Sequence, residues 1–139
     1  MRNLFLFLFL VSAHIMVAQD ILGQWKTIDD ETGEAKSIVE IYEKQGKVYG
    51  KIVQILNPDR QNALCTKCEG KDKDRPINGL EIIKGLKQDG EAYKGGTIFD
   101  PEKGKEYKCR LALAEDPDVL QVRGYIAFLY KNQYWERVK

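Results

Sequence analysis

Tyr107, Cys109, Leu111 and Leu113 alternate with Lys108, Arg110 and Ala112. A period of two suits a half-buried strand with one dry face, whereas a helix repeats every about 3.6 residues. The same period recurs along the chain, cut at short intervals by turn residues. It predicts a first strand over Gly23 to Ile28, ended by the polar run Asp29-Asp30-Glu31-Thr32-Gly33. Lys36 to Glu43 and Lys47 to Leu56 form a hairpin about Gln45-Gly46. In the first of these, Ile38, Val39, Ile41 and Tyr42 favour extended backbone. Leu80 to Lys87 also fits helical spacing through Leu80, Ile83 and Leu86, but Gly79 and Gly85 weaken a helix and the segment reads as strand. Tyr93 to Asp100 contains Gly95-Gly96, a bulge or sharp bend, and Asp100-Pro101-Glu102-Lys103-Gly104 is a hairpin turn. Val119 to Phe128 and Tyr134 to Val138 complete about eight strands.

An antiparallel meander of that size must protect its edge strands, and closing the sheet does so. The expected fold is therefore all-β, a small antiparallel up-and-down barrel, with an open β-sandwich as the alternative. Eight strands enclose room for packed side chains or for one small ligand.

The N-terminus bears on location. Arg2 precedes the apolar run Leu4-Phe5-Leu6-Phe7-Leu8-Phe9-Leu10-Val11, and Ala18 stands where a signal peptidase would cut. The run is shorter than the about 20 apolar residues of a membrane span. Residues 1–18 are thus expected to be a removed signal peptide, a retained anchor being the alternative, and residues 19–139 a single soluble domain without stable membrane insertion. No cysteine precedes Cys65, so the lipoprotein signal is missing. With the leader gone, 22 basic residues become 21 against 21 acidic ones, a balance that argues against nucleic acid as partner. His14 lies inside the leader and is the chain's one histidine, so the domain has no Ser-His-Asp or Cys-His apparatus and no imidazole metal site. Carboxylate, thiol, lysine or tyrosine chemistry remains, and a non-catalytic protein with no cofactor or metal is the reading favoured.

Asn57-Pro58-Asp59 opens a polar stretch that runs through Pro76 and holds Cys65-Thr66-Lys67-Cys68 and Lys71-Asp72-Lys73-Asp74-Arg75. A loop of that length in a small domain tends to be functional or covalently braced. Three cysteines leave one over if a disulfide forms. The preferred pairing is Cys65 with Cys68, leaving Cys109 buried and reduced on its strand; a bridge from Cys109 to either loop cysteine is the alternative that spacing leaves open. A redox pair needs a helix after it, and none is evident at Glu69-Gly70. A zinc site would need Asp72, Asp74 or Glu69 to complete three thiols. Asp29, Asp30 and Glu31 lack the ligand order of a calcium loop. The candidate ligand-binding residues are Tyr42, Tyr49, Tyr107 and Tyr125, which with Tyr93 either line a cavity or fill the barrel.

The ordered motifs Gly23-Gln24-Trp25-Lys26-Thr27-Ile28-Asp29-Asp30-Glu31-Thr32-Gly33, Val39-Glu40-Ile41-Tyr42, Tyr49-Gly50-Lys51-Ile52, Cys65-Thr66-Lys67-Cys68, Gly96-Thr97-Ile98-Phe99-Asp100-Pro101, Val122-Arg123-Gly124-Tyr125 and Trp135-Glu136-Arg137-Val138 resemble the exported bacterial family known as domain of unknown function 2147. The resemblance implies a bacterial source and a periplasmic or secreted location. Gly23-Gln24-Trp25 also resembles the start of lipocalin-like barrels, in which a late arginine packs over the tryptophan ring. That likeness implies that Trp25 and Arg137 close the barrel. Two functions follow as expectations. One is a binding protein with a small apolar or amphipathic ligand inside the barrel; the other is an interaction module that presents the Cys65 to Pro76 loop to an envelope protein.

Overall fold

The computed structural model describes residues 20–139, so the expected leader over residues 1–18 lies outside the described residues. Among these, eight strands follow in chain order: β1 (Gly23–Ile28), β2 (Ala35–Lys44), β3 (Lys47–Ile55), β4 (Glu81–Asp89), β5 (Ala92–Asp100), β6 (Lys105–Leu113), β7 (Val119–Ile126) and β8 (Leu129–Arg137). Each pairs with the next and β8 returns to β1, giving a closed barrel. Closure takes the form of Trp25 opposite Arg137 and Lys26 opposite Glu136, which removes the open sandwich. The segment expected as strand from Leu80 is strand from Glu81, and in place of helices the long loop carries two short 3-10 turns, Pro58–Arg60 and Gly70–Asp72.

The last strand starts five residues before the expected Tyr134, because Ala127 and Phe128 make a tight two-residue turn. Ala127 takes φ 54 there without being glycine, so the run from Ile126 to Tyr130 carries no turn residue to mark the reversal. Gly85 and Gly95, at φ 73 and 84, form facing irregularities in β4 and β5. A Cβ on the adjacent Gly96 would collide with the Lys84 carbonyl and lie 2.9 Å from Leu86, so only glycine fits that close approach.

The alternation assigns each side chain to a wall of the barrel. Trp25, Val39, Ile41, Ile83, Leu86, Leu111 and Leu120 point inward and are almost wholly buried, and no polar side chain is buried among the described residues. Together with Ile21, Trp135 and Cys109 they form a contiguous core. Sequential up-and-down connection gives the barrel two unlike ends. The β2–β3, β4–β5 and β6–β7 turns gather at one end with residues 20–22 and the C-terminal residues. The β1–β2, β5–β6 and β7–β8 turns and the long β3–β4 loop surround the other end, here called the mouth.

Candidate functional site: the barrel mouth

The terminal end is sealed. The Arg137 guanidinium carbon sits 4.3 Å from the Trp25 ring centroid. Arg137 Nη2 donates to the carbonyls of Asp20 and Pro117, both at 3.1 Å, while Nε lies 3.4 Å from Asp118 Oδ1. That last pair is close enough to attract but is not aligned as a hydrogen bond, so the contact is ionic. Lys139 also reaches Asp118, and these two cations hold the Asp118 carboxyl below its usual range, the Lys139 hydrogen bond first. Beneath the arginine, the Trp25 indole donates to the Ile21 carbonyl at 2.9 Å.

The mouth differs. Above the buried Trp25 and Trp135, the inward-facing Thr27, Ser37, Ile98, Tyr107 and Gln133 are only half-buried. Pairing fixes their direction: Thr27 lies opposite Ser37, Ile98 opposite both Ile83 and Tyr107, and Gln133 opposite Val122. The layer is mixed in character. Thr27 Oγ1 and Ser37 Oγ are 2.7 Å apart, the Trp135 indole donates to Gln133 Oε1 at 3.3 Å, and Ile98 and Tyr107 supply apolar area. The inner wall is thus dry at the terminal end and polar, aromatic and half-exposed at the mouth, with Trp25 and Trp135 buried beneath that layer.

One side of the mouth is a seam. Register pairing of β1 with β8 covers Trp25 and Lys26, and β1 ends at Ile28 while β8 continues upward to Leu129. Asp30 bridges the gap: its Oδ2 lies 3.1 Å from Lys131 Nζ and accepts from Gln133 Nε2 at 3.2 Å. The same carboxylate raises the Lys131 ammonium above its ordinary range. Neighbouring Asp29 is used differently. Its Oδ1 accepts from the backbone N–H of Glu31 and Thr32 at 2.8 and 3.0 Å, which shapes the β1–β2 turn and depresses its carboxyl, Thr32 contributing most. With that oxygen committed to backbone, the Asp29-Asp30-Glu31 run serves the turn and the seam.

The long loop braces the opposite side of the mouth. Cys65 and Cys68 are disulfide-bonded and buried, Cys65 N–H donates to Arg75 O at 2.7 Å, and Leu64 forms a bridge with Pro76. The loop leans on the β5–β6 turn, where a Cβ on Gly104 would come 2.7 Å from Lys67 Cβ. Gln54, Ile55, Gln61, Asn62 and Asn78 surround a hollow of about 330 Å³ where this loop leaves β3. Cys109 is the free cysteine, buried on the inner wall, and burial pushes its thiol up to about 12. Among the described residues no three His, Cys, Asp or Glu side chains gather as a metal site.

Of the four tyrosines expected to meet a ligand inside, only Tyr107 faces inward. Ile41 points in, so Tyr42 points out; Val48 and Gly50 point in, so Tyr49 points out; Val122 and Gly124 do the same to Tyr125. Tyr42 and Tyr49 stack on the outer wall with centroids 6.0 Å apart, under Lys51 and Lys44. The Tyr42 hydroxyl donates to Glu81 at 2.6 Å, and its phenol is pushed up to about 12 by burial and then by that carboxylate. Beside this pair an open groove of about 440 Å³, outside the barrel, is lined by Lys44, Lys71, Asp72, Arg75, Glu81 and Lys84 among others. Tyr125 lies on a different part of the outer wall, against Tyr130. Tyr93, opposite the inward Leu111, faces inward nearer the terminal end. Asp30, Lys131 and Gln133 were not expected at the mouth, because their proximity arises only when β8 closes onto β1.

The fold is similar to that of protein HP1028 from the human pathogen Helicobacter pylori, described as belonging to the lipocalin family. The TM-score is 0.76 at 20% sequence identity, over 88% of this chain and 85% of that one. The barrel is thus lipocalin-like. No curated protein matches the chain. The family model described as "Uncharacterized protein conserved in bacteria (DUF2147)" matches residues 23–137, and the chain belongs to that family.

Proposed function

We propose that this is an exported, non-catalytic binding protein of the bacterial envelope that holds a small apolar or amphipathic molecule in the mouth of its barrel. The observation that carries the reading is the gradient along the inner wall, from Val39, Leu86 and Leu120, fully buried, to Thr27, Ser37, Tyr107 and Gln133, half-exposed. Small-molecule sites are concave and mostly apolar with a few fixed polar groups. The mouth layer offers Ile98 and Tyr107 as apolar surface, and Thr27, Ser37 and Gln133 for a polar end. Because these side chains are only half-buried, the layer suits a molecule that leaves one end in solvent. Export is supported by the leader pattern in residues 1–18, and an oxidising compartment suits the Cys65–Cys68 bond.

A second reading has a specific observation behind it. The disulfide-braced loop exposes Leu64 and walls the charged groove beside Arg75, a rigid surface suited to an envelope protein. Native mass spectrometry of protein purified from its own host separates the two. A retained small molecule supports the first, whereas a bare chain that captures a protein through residues 64–76 supports the second.

A further inference from the structure

Five of the six large apolar or aromatic side chains exposed among the described residues lie on one hairpin, β7–β8: Ile126, Phe128, Leu129, Tyr130 and Tyr134. Phe128, at its tip, is 88% exposed. A ring so bare adds little to the fold, and apolar side chains collected in this way mark a contact surface. Beyond the Asp30 contacts to Lys131 and Gln133, the tip extends past the end of its neighbour, because β1 ends at Ile28 while β8 begins at Leu129 at the mouth.

The residues behind the tip identify what it meets. Tyr125 and Tyr130 pair across the outer face with ring centroids 5.9 Å apart, and the Arg123 guanidinium lies 4.2 Å over Tyr130. Lys108 sits opposite Tyr125 and Arg110 opposite Arg123, so three cations share this face with Glu106. An apolar wedge, then tyrosines, then cations is the layering of a surface that sits in a lipid interface: apolar groups enter the acyl boundary, tyrosines occupy the headgroup level, and cations meet anionic headgroups. A narrow convex tip suits a fluid surface better than a rigid protein partner, which needs a broad complementary patch. We propose that the β7–β8 hairpin docks the barrel, mouth first, onto membranes containing anionic lipid. The contact is peripheral and leaves the barrel folded and closed.

The test is co-sedimentation of the protein, without its leader, with vesicles of phosphatidylcholine alone and of phosphatidylcholine with phosphatidylglycerol. Binding is expected to the anionic vesicles, at least tenfold weaker in 0.5 M salt and at least tenfold weaker for the Phe128→Ser, Leu129→Ser double variant. Both altered side chains are exposed, so that variant should keep the parent's unfolding midpoint. Arg123→Gln should weaken anionic-vesicle binding several-fold. The proposal is overturned if the parent stays in the supernatant at low salt, or if the double variant binds equally well. It is overturned too if sedimentation equilibrium shows a dimer that the double variant abolishes while vesicles are ignored, since the hairpin then meets a second copy.

Discussion

Arg137 lies over the Trp25 ring at 4.3 Å and is also its partner across the β1–β8 ladder, so one residue both joins the first strand to the last and lids the core. Arg137→Ala removes a cation–π contact and two charge-assisted hydrogen bonds from a partly desolvated site. The expected loss is about 3 kcal/mol in chemical denaturation. Arg137→Lys keeps the charge but not the planar fork and should recover less than half. An alanine variant within about 0.5 kcal/mol of the parent would mean that the seal is ornamental.

Gly96 is held against the backbone of β4, where a Cβ would meet the Lys84 carbonyl and Leu86. Gly96→Ala should cost about 3 kcal/mol or shift the β4–β5 register, read from unfolding and from backbone amide shifts. A neutral result would show that the two strands can separate there freely.

Cys65 and Cys68 close a ring of only four residues. The double Cys→Ser variant should therefore lose about 2 kcal/mol while keeping a cooperative barrel, with faster amide exchange confined to residues 57–80. Loss of cooperative unfolding would assign the bridge to the whole fold. Ellman's reagent should find no reactive thiol in the native protein and one per chain after unfolding, namely the buried Cys109.

Burial pushes the Cys109 thiol up to about 12 from an ordinary 9.0, and burial together with the Glu81 carboxylate pushes the Tyr42 phenol up to about 12 from 10.0. Both hold protons that the unfolded chain gives up earlier. Their contribution to stability is complete below about pH 9 and is lost as pH climbs toward 12. Cys109→Ala should flatten the fall in unfolding free energy between pH 9 and 12, and Tyr42→Phe should flatten the part above pH 10. An unchanged slope in Cys109→Ala would show that the thiol meets solvent.

Asp30 spans the β1–β8 seam in an exposed setting, with Lys131 and Asp30 side chains 70% and 36% accessible. Asp30→Ala should shift global stability by less than about 1 kcal/mol yet speed amide exchange over residues 129–133. Unchanged exchange there would show that Asp30 does not clamp the seam.

Closure was legible because edge protection, alternation and the separation of Trp25 from Arg137 along the chain all pointed one way. The β8 boundary was not, since Ala127 adopts a positive φ without glycine and Ile126 to Tyr130 reads as an unbroken apolar run. The mouth was legible in part. Strict parity would have sent Tyr42 outward beside the inward Ile41 and kept Tyr107 inward beside Cys109, but counting aromatics without parity merged two walls of the barrel. The seam was hidden for a different reason: Asp30 and Gln133 are 103 residues apart, and no local pattern announces such a contact.

The claim that the mouth is the binding site is tested most directly by amide chemical shifts as the protein is titrated with a lipid and small-molecule extract of the host envelope. Perturbations are expected to cluster at Thr27, Ser37, Tyr107, Lys131 and Gln133, with Val39 and Leu86 unmoved. Shifts confined to the outer groove from Lys71 to Glu81, or none at saturating extract, would contradict it.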